Sequence, residues 1–275
     1  MTKTILLLMV FGLLFFGCTG PSPSADTGAP GQESPPEQPE APHEEPETGE
    51  HEEPEAQPET EPEPEDEEPA ETQPVDGNKV LMTGRSVAYH WMEYMGLEWT
   101  CDDEACHTGS PRGTYDDYYF IYYELDYPPE IATSAAEAVD TYGADAEVVF
   151  FKFCFVDFAA DLELQNARAN EALAEDAYEY IVVDRGKKLI IGNALPQVSA
   201  HTEPALVDNH REFNDWLNGF AASHDNVQVL DLYGMLSDSS GNLRSEYAVS
   251  ADDSHLTEAA YAVITPELLR LVENA

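Results

Sequence analysis

The chain has 275 residues, of which 55 are acidic and only 12 are basic, so its formal net charge at pH 7 is −43. This charge excludes a protein that binds nucleic acid or an anionic lipid surface, because phosphate groups would be repelled. The prolines and acidic residues are distributed unevenly, and the chain divides into three segments at 1–18, 19–77 and 78–275.

Residues 1–18 have the pattern of a targeting sequence. Lys3 places a positive charge near the N-terminus, and residues 5–16 form an apolar run that is shorter than a typical membrane-spanning helix. The run ends at Gly17 and resembles a lipoprotein signal peptide in which Cys18 carries the lipid. A plain uncleaved anchor is the alternative. Either form predicts export and contact with the membrane only through the N-terminus, with the rest of the chain outside the cytoplasm.

Residues 19–77 predict a disordered stalk. They contain 14 of the 20 prolines and 20 of the 55 acidic residues, and they contain no lysine, arginine or aromatic residue. Such a segment buries too little apolar surface to offset the entropy lost on ordering. Its Pro-Glu repeats favour extended conformers, which suit a spacer through a cell envelope. A dispensable solubilising tail fits the same composition.

Residues 78–275 are enough for one domain with a substantial core. In chain order, apolar and β-branched runs predict strands at 79–84, 118–125, 147–155, 188–192 and 227–232. Helical patterns predict helices at 86–95, 129–141, 161–180, 204–223 and 257–274. This alternation predicts a three-layer α/β/α fold with a five-stranded parallel sheet.

Polar residues follow several of the predicted strands. Ligands of such folds bind beyond the carboxyl ends of the strands, where this sequence places Ser86, Cys154, Asp157, Asn193, Asp252 and His255. The spacing Asp252-x-x-His255 suits a carboxylate that holds an imidazole beside a hydroxyl group. Alone, the spacing also fits a helix N-cap before a surface histidine, and Ser86 alone also fits an N-cap. Their convergence on one sheet edge favours a catalytic site.

Two blocks of this domain resemble those of the SGNH (GDSL-type) hydrolase superfamily. Residues 80–86, VLMTGRS, match a strand and tight turn that lead to a nucleophilic serine, and residues 252–256, DDSHL, match the block before the final helix. The resemblance implies a flavodoxin-like SGNH hydrolase fold and a triad of Ser86, His255 and Asp252. His255 would take the proton of Ser86, and Asp252 would orient the imidazole. No cofactor and no metal is implied.

The sequence departs from the family pattern around the oxyanion site. Arg85 stands where the family usually has Asp. The family's Asn at the end of the third strand has no clear counterpart, and an ionised Asp there cannot donate a hydrogen bond. The backbone N–H of Ser86 would be one oxyanion donor. The residues considered for a second donor or for substrate binding are Lys152, Cys154, Asp157 and Asn193, and Gly109 and Gly113 are candidates for the family's donor glycine.

The cysteines fit an exported protein. Cys101 and Cys106 lie close in sequence, which favours a short disulfide over a metal site shared with His107. Cys154 follows a buried run and is expected to be a free core thiol.

Two functions therefore fit the sequence. The first is a surface-tethered serine esterase for acyl or acetyl esters of small molecules or glycans; the tyrosines within 118–127 could line a sugar-binding cleft, although strand packing also explains them. The second is a non-catalytic module on the same fold that binds an envelope glycan or peptide. We expect a monomer in either case.

Overall fold

A computed structural model describes residues 78–102 and 109–275. The predicted signal peptide with Cys18, the predicted stalk, and the pair Cys106 and His107 lie outside the described residues. Within the described ranges, no helix combines the length and the apolar character needed to cross a bilayer.

The described residues form seven strands of one sheet, a separate hairpin and six α-helices. The strands of the sheet are β1 (Lys79–Gly84), β2 (Glu98–Cys101), β3 (Gly109–Tyr115), β4 (Tyr118–Glu124), β5 (Val148–Lys152), β6 (Lys188–Gly192) and β7 (Val227–Leu230), and the hairpin is β8 (Ala248–Ser250) with β9 (Asp253–Leu256). The helices are α1 (Ser86–Tyr94), α2 (Ile131–Tyr142), α3 (Gln165–Tyr178), α4 (Pro204–Ser223), α5 (Leu232–Leu236) and α6 (Glu258–Glu273). A 3₁₀ turn covers Phe155–Asp157, and a π-helical turn, Glu179–Asp184, continues α3.

The strand order in the sheet is β2-β3-β4-β1-β5-β6-β7. The five strands β4, β1, β5, β6 and β7 are parallel, which confirms the predicted five-stranded parallel sheet. The strands β2 and β3 were not predicted; they add an antiparallel extension beside β4. All four residues of β2 are exposed, so this strand lacks the buried apolar pattern by which the five parallel strands were predicted.

Helices cover both faces of the sheet, as predicted for three layers. Successive strand residues point to opposite faces, so Val80 and Met82 of β1 pack towards α1 and α6, whereas Leu81 packs towards α2, α3 and α4. Burial of each such large apolar side chain contributes about 1.5–3 kcal/mol. The continuous apolar composition of β5, which is buried along its whole length, follows from this two-sided covering.

Contacts with α6 hold α1 in place. The indole Nε1 of Trp91 donates to Thr265 Oγ1 at 2.8 Å, and the hydroxyl of Tyr261 donates to the carbonyl of Val87 at 3.0 Å. Helix α6 continues through Pro266. These buried bonds fix the first turn of α1, and therefore Ser86, at the carboxyl end of β1.

Candidate active site

Ser86 and His255 lie in hydrogen-bonding contact although 169 positions separate them in the sequence. Ser86 opens α1 two residues after the last residue of β1, and His255 lies on β9. The distance from Ser86 Oγ to His255 Nε2 is 2.9 Å. This is the contact that a general base makes with the hydroxyl that it deprotonates.

The carboxylate beside His255 belongs to Asp253, and the prediction of Asp252 is wrong. Asp253 Oδ1 lies 2.6 Å from His255 Nδ1, whereas the Asp252 carboxylate accepts a hydrogen bond from Ser250 Oγ at 2.5 Å. The sequence had suggested a turn before a helix, but residues 253–256 form a strand. In a strand, residues two apart share a face, so Asp253 and His255 lie side by side. The short alternation in DSHL was the available signal.

Asp253 is fixed by two hydrogen bonds from His255. Its Oδ1 also accepts the backbone N–H of His255 at 2.9 Å. The bond from the backbone N–H has the largest effect and the bond from the ring the next, and both lower the pKa of Asp253 below its ordinary value. The carboxylate is thereby kept ionised. An ionised carboxylate accepts a hydrogen bond from Nδ1–H, which leaves the lone pair of Nε2 directed at Ser86. The imidazole is thereby held in the tautomer that a base requires.

Aromatic rings enclose the imidazole of His255 on two sides. Phe155 makes an edge-on contact with centroids 5.3 Å apart, and His90 makes another at 5.6 Å. The carbonyl of Phe155 accepts a hydrogen bond from Gln197 Nε2 at 2.8 Å, which anchors the loop after β5. These contacts restrict rotation of the ring without using either of its nitrogens.

A buried ion pair lies next to the nucleophile. Arg85 Nη2 is 2.5 Å from Asp157 Oδ1, and the two side chains are only 6% and 2% exposed. The other oxygen of Asp157 accepts the backbone N–H of Cys154 at 2.7 Å. The guanidinium of Arg85 also stacks over Tyr127, 4.0 Å from the ring centroid. The residue before Ser86 is therefore tied to the loop after β5.

Three candidates for a second oxyanion donor or substrate contact are already engaged. Asn193 donates through Nδ2 to Asp231 at 2.7 Å and accepts from the backbone of Tyr233 at 2.9 Å. The backbone N–H of Cys154 is used by Asp157, and the carboxylate of Asp157 is itself an acceptor. The hydrogen-bonding groups of these three residues are thus engaged in contacts within the protein.

The fourth candidate, Lys152, has a free amine that solvent does not reach. The residue is 1% exposed, and its Nζ has no hydrogen-bond partner among the described residues. Burial lowers the pKa of Lys152. Its aliphatic chain packs so closely against Gly84 that a Cβ there would come 3.2 Å from Lys152 Cγ. Lys152 therefore fills space beneath the turn that precedes Ser86.

The start of α1 remains as the source of oxyanion donors. The first N–H groups of a helix have no partner within the helix, and the helix dipole places partial positive charge there. Ser86 is the first residue of α1, so its own N–H belongs to this group. The candidates Gly109 and Gly113 lie on the antiparallel strand β3, and only Gly109 is near the carboxyl end of β4.

The cysteines agree with the sequence analysis as far as the described residues extend. Cys154 is a free, buried thiol, as predicted. Cys101 is disulfide-bonded, and its pairing with Cys106 stays a prediction because Cys106 lies outside the described ranges. Within 78–102 and 109–275, no three His, Cys, Asp or Glu side chains form a group that could hold a metal ion.

Comparisons with known proteins bear on the fold. No family model and no curated protein matches the sequence. Among solved structures, a proposed acylhydrolase from Bacteroides fragilis is similar over 72% of this chain and 87% of its own, with 14% identity and a TM-score of 0.50. A GDSL-like lipase from Bacteroides thetaiotaomicron is similar over 72% of this chain and 88% of its own, with 13% identity and a TM-score of 0.50. The protein thus has the fold of the SGNH (GDSL-type) hydrolases.

Proposed function

We propose that the protein is a serine esterase that cleaves acyl or acetyl esters with Ser86, His255 and Asp253. The observation that carries the proposal is the continuous line of contacts from Ser86 Oγ to His255 Nε2 at 2.9 Å and from His255 Nδ1 to Asp253 at 2.6 Å. This line lies at the carboxyl edge of a parallel sheet, where ligands of such folds bind. Similarity to the fold of GDSL-type hydrolases supports the same chemistry.

The proposed reaction has two half-reactions, and His255 serves as base and then as acid in each. Ser86 Oγ attacks the ester carbonyl carbon as its proton passes to His255 Nε2, and the N–H groups at the start of α1 stabilise the oxyanion. The intermediate collapses, the ester C–O bond breaks, and the alcohol leaves with the proton from Nε2. Water then attacks the acyl-enzyme as its proton passes to His255 Nε2, and the bond from the acyl carbon to Ser86 Oγ breaks as Nε2 returns that proton to Oγ, which releases the carboxylic acid. Asp253 stabilises the imidazolium formed in each half-reaction.

We further propose that the domain is tethered outside the cytoplasm through a lipid on Cys18. The apolar run that ends at Gly17-Cys18, followed by a proline- and glutamate-rich segment, supports this placement. Cys18→Ser should release the protein from membranes or leave it unprocessed in a fractionation assay. Membrane retention of the variant at wild-type size would contradict lipidation.

A binding module on the same fold is the second candidate. It is favoured by one observation, namely that none of the four residues considered for a second donor presents a free donor at the surface of the site. A single missing oxyanion donor slows catalysis roughly 10²- to 10³-fold without abolishing it. The esterase therefore remains the better explanation of the Ser86–His255 contact.

Hydrolysis of p-nitrophenyl acetate by the wild-type protein and by Ser86→Ala separates these functions. We expect turnover by the wild type alone, and covalent labelling of Ser86 by a fluorophosphonate, located by mass spectrometry. The matched control Ser254→Ala should still be labelled at Ser86, because Ser254 donates nothing to the triad and contacts the backbone of Val198. Equal rates for the wild type and Ser86→Ala, together with no label on Ser86, would leave the binding module.

A further inference from the structure

A cavity of about 350 Å³ lies at the carboxyl end of β4. It is at the edge of the sheet where the antiparallel strands β2 and β3 are added beside β4. Its lining is mainly aromatic and includes Tyr89, Trp99, Ser110, Tyr123, Glu124 and Tyr142. Strand β4 is parallel to β1 and pairs Glu124 with Gly84, two residues before Ser86. The cavity is therefore at the same sheet edge as the proposed nucleophile.

Tyr89 connects this cavity to the triad. It lies three residues after Ser86 on α1, so the two side chains share a helix face. The ring of Tyr89 contacts that of His90 at 5.6 Å between centroids, and His90 contacts His255 at 5.6 Å. The lining of the cavity therefore begins within one helical turn of Ser86, which is the basis for placing a substituent of a bound molecule at the nucleophile.

The wall of the cavity that β2 and β3 form is already in place in the unliganded protein. Trp99 is 55% exposed, yet its indole lies against Gly109, where a Cβ would come within 2.7 Å of Trp99 Nε1. Asp102 accepts the hydroxyl of Tyr142 at 2.6 Å and also pairs with Arg112, which ties the hairpin to α2. Because of the bond to Asp102, the pKa of Tyr142 rises to about 12. The rings are held in place before any ligand arrives.

One polar atom in the wall has no partner. Ser110 is 4% exposed, and its Oγ makes no hydrogen bond among the described residues. A buried hydroxyl without a partner is costly, typically about 1–3 kcal/mol. Since Ser110 lines the cavity, a hydroxyl group of a bound molecule is the group that would satisfy it.

We propose that this cavity binds an uncharged sugar ring whose ester group is cleaved at Ser86. Aromatic faces suit the C–H face of a pyranose, while Ser110 and Glu124 suit its hydroxyl groups. No lysine or arginine is among the described residues of the lining, and Glu124 would repel a carboxylate, so a uronic acid is excluded. An acyl chain would instead favour a lining without hydroxyl and carboxylate groups. The sugar is the alcohol that leaves with the proton from His255.

This inference rests on the proposed function, and Trp99 gives a direct test. Wild-type protein and Trp99→Ala are assayed on mono-acetylated xylotriose, p-nitrophenyl acetate and p-nitrophenyl octanoate. We expect Trp99→Ala to lower the ratio of kcat/KM for the sugar ester to that for the aryl acetate about tenfold, mainly through KM, because a stacking surface is removed. Val183→Ala, a similarly exposed residue before the amino end of β6, should leave the ratio unchanged.

Charge provides a second arm of the same experiment. The wild type should prefer the acetylated xylotriose to an acetylated galacturonide, and Glu124→Gln should narrow this preference, most clearly at low salt. A preference for the galacturonide in the wild type would overturn the assignment to an uncharged sugar. An unchanged ratio in Trp99→Ala, or a loss confined to the octanoate, would overturn the sugar site itself.

Binding without turnover distinguishes failure of this inference from failure of the esterase. Isothermal titration of Ser86→Ala with xylotriose should give a heat of binding that Ser86→Ala/Trp99→Ala loses. If the wild type hydrolyses no ester but xylotriose binds and needs Trp99, the sugar site stands and the esterase falls. If the wild type hydrolyses aryl esters while xylotriose does not bind, the sugar site falls and the esterase stands.

Discussion

Two carboxylates near Ser86, those of Asp157 and Asp253, each pair with a basic side chain, but the two pairs differ in burial. Asp157 pairs with Arg85 in a buried pair whose side chains are 2% and 6% exposed. Asp253 pairs with His255 in an exposed pair whose side chains are 41% and 31% exposed. A buried ion pair has to be matched completely, since either charge alone is strongly disfavoured. The Asp253–His255 pair is open to solvent and contacts Ser86, so we assign structural support to the buried pair and the proposed chemistry to the exposed pair.

The largest expected effect concerns the exposed pair and its serine. Ser86→Ala and His255→Ala should each lower kcat for p-nitrophenyl acetate by about 10⁴- to 10⁶-fold, because each removes an indispensable part of one proton-transfer unit. The double variant should be no slower than either single variant. Additive losses in steady-state assays of the three variants would contradict the shared role.

The next effect concerns the buried pair. Asp157→Leu leaves the guanidinium of Arg85 buried without its partner, so the free energy of unfolding should fall by about 3–5 kcal/mol in urea denaturation. The control Arg85→Met/Asp157→Leu removes both charges and should recover much of that loss. A double variant less stable than Asp157→Leu would show that the two charges are not coupled as the 2.5 Å contact indicates.

The neighbouring aspartates Asp252 and Asp253 of the β8–β9 hairpin allow a matched pair of substitutions. Asp253→Asn should lower kcat by about 10- to 100-fold, less than for a buried triad carboxylate, since water screens a side chain that is 41% exposed. Asp252→Asn should change kcat by no more than about twofold, because the described residues give its carboxylate a hydrogen bond from Ser250 and none from His255. The reverse order of these two effects in the same ester assay would restore Asp252 to the triad.

The smallest effect concerns Lys152, a lone amine beside the buried pair. Burial lowers its pKa from the ordinary 10.5. Between the folded and unfolded pKa values the unfolded chain binds more protons, so stability should rise with pH across that interval. Lys152→Met should add about 1–2 kcal/mol to the free energy of unfolding at pH 7. It should also flatten the rise in stability as the pH approaches 10.5 in urea titrations; an equal or steeper rise would contradict a lowered pKa.

The elements that the sequence predicted are those whose residues form a recognisable local pattern along the chain. The five parallel strands are apolar runs buried from both sides, and α4 was predicted at its observed bounds, Pro204–Ser223. The serine and histidine were found because each follows a recognisable strand or precedes a recognisable helix. Their order along the chain then placed them at one edge of the sheet.

What the sequence could not reveal depends on contacts between distant or irregular segments. The strand β3 contains Gly109, Pro111 and Gly113, residues that usually mark loops. The pairing of Arg85 with Asp157 spans 72 positions, and neither residue carries a local sign of it. Asp253 was missed because a four-residue strand is too short for its alternation to outweigh the polar, turn-like composition around it.

The β8–β9 hairpin also determines where an inserted residue would be tolerated. Asp253 and His255 share a face only because one residue separates them on β9. An insertion between them would turn the carboxylate to the other face, so even a single added glycine there should disconnect the pair. An insertion at Ala251, in the turn before Asp253, would lengthen the loop and leave the spacing intact. We therefore expect this protein to tolerate a change in the length of the turn but not in the interval between Asp253 and His255.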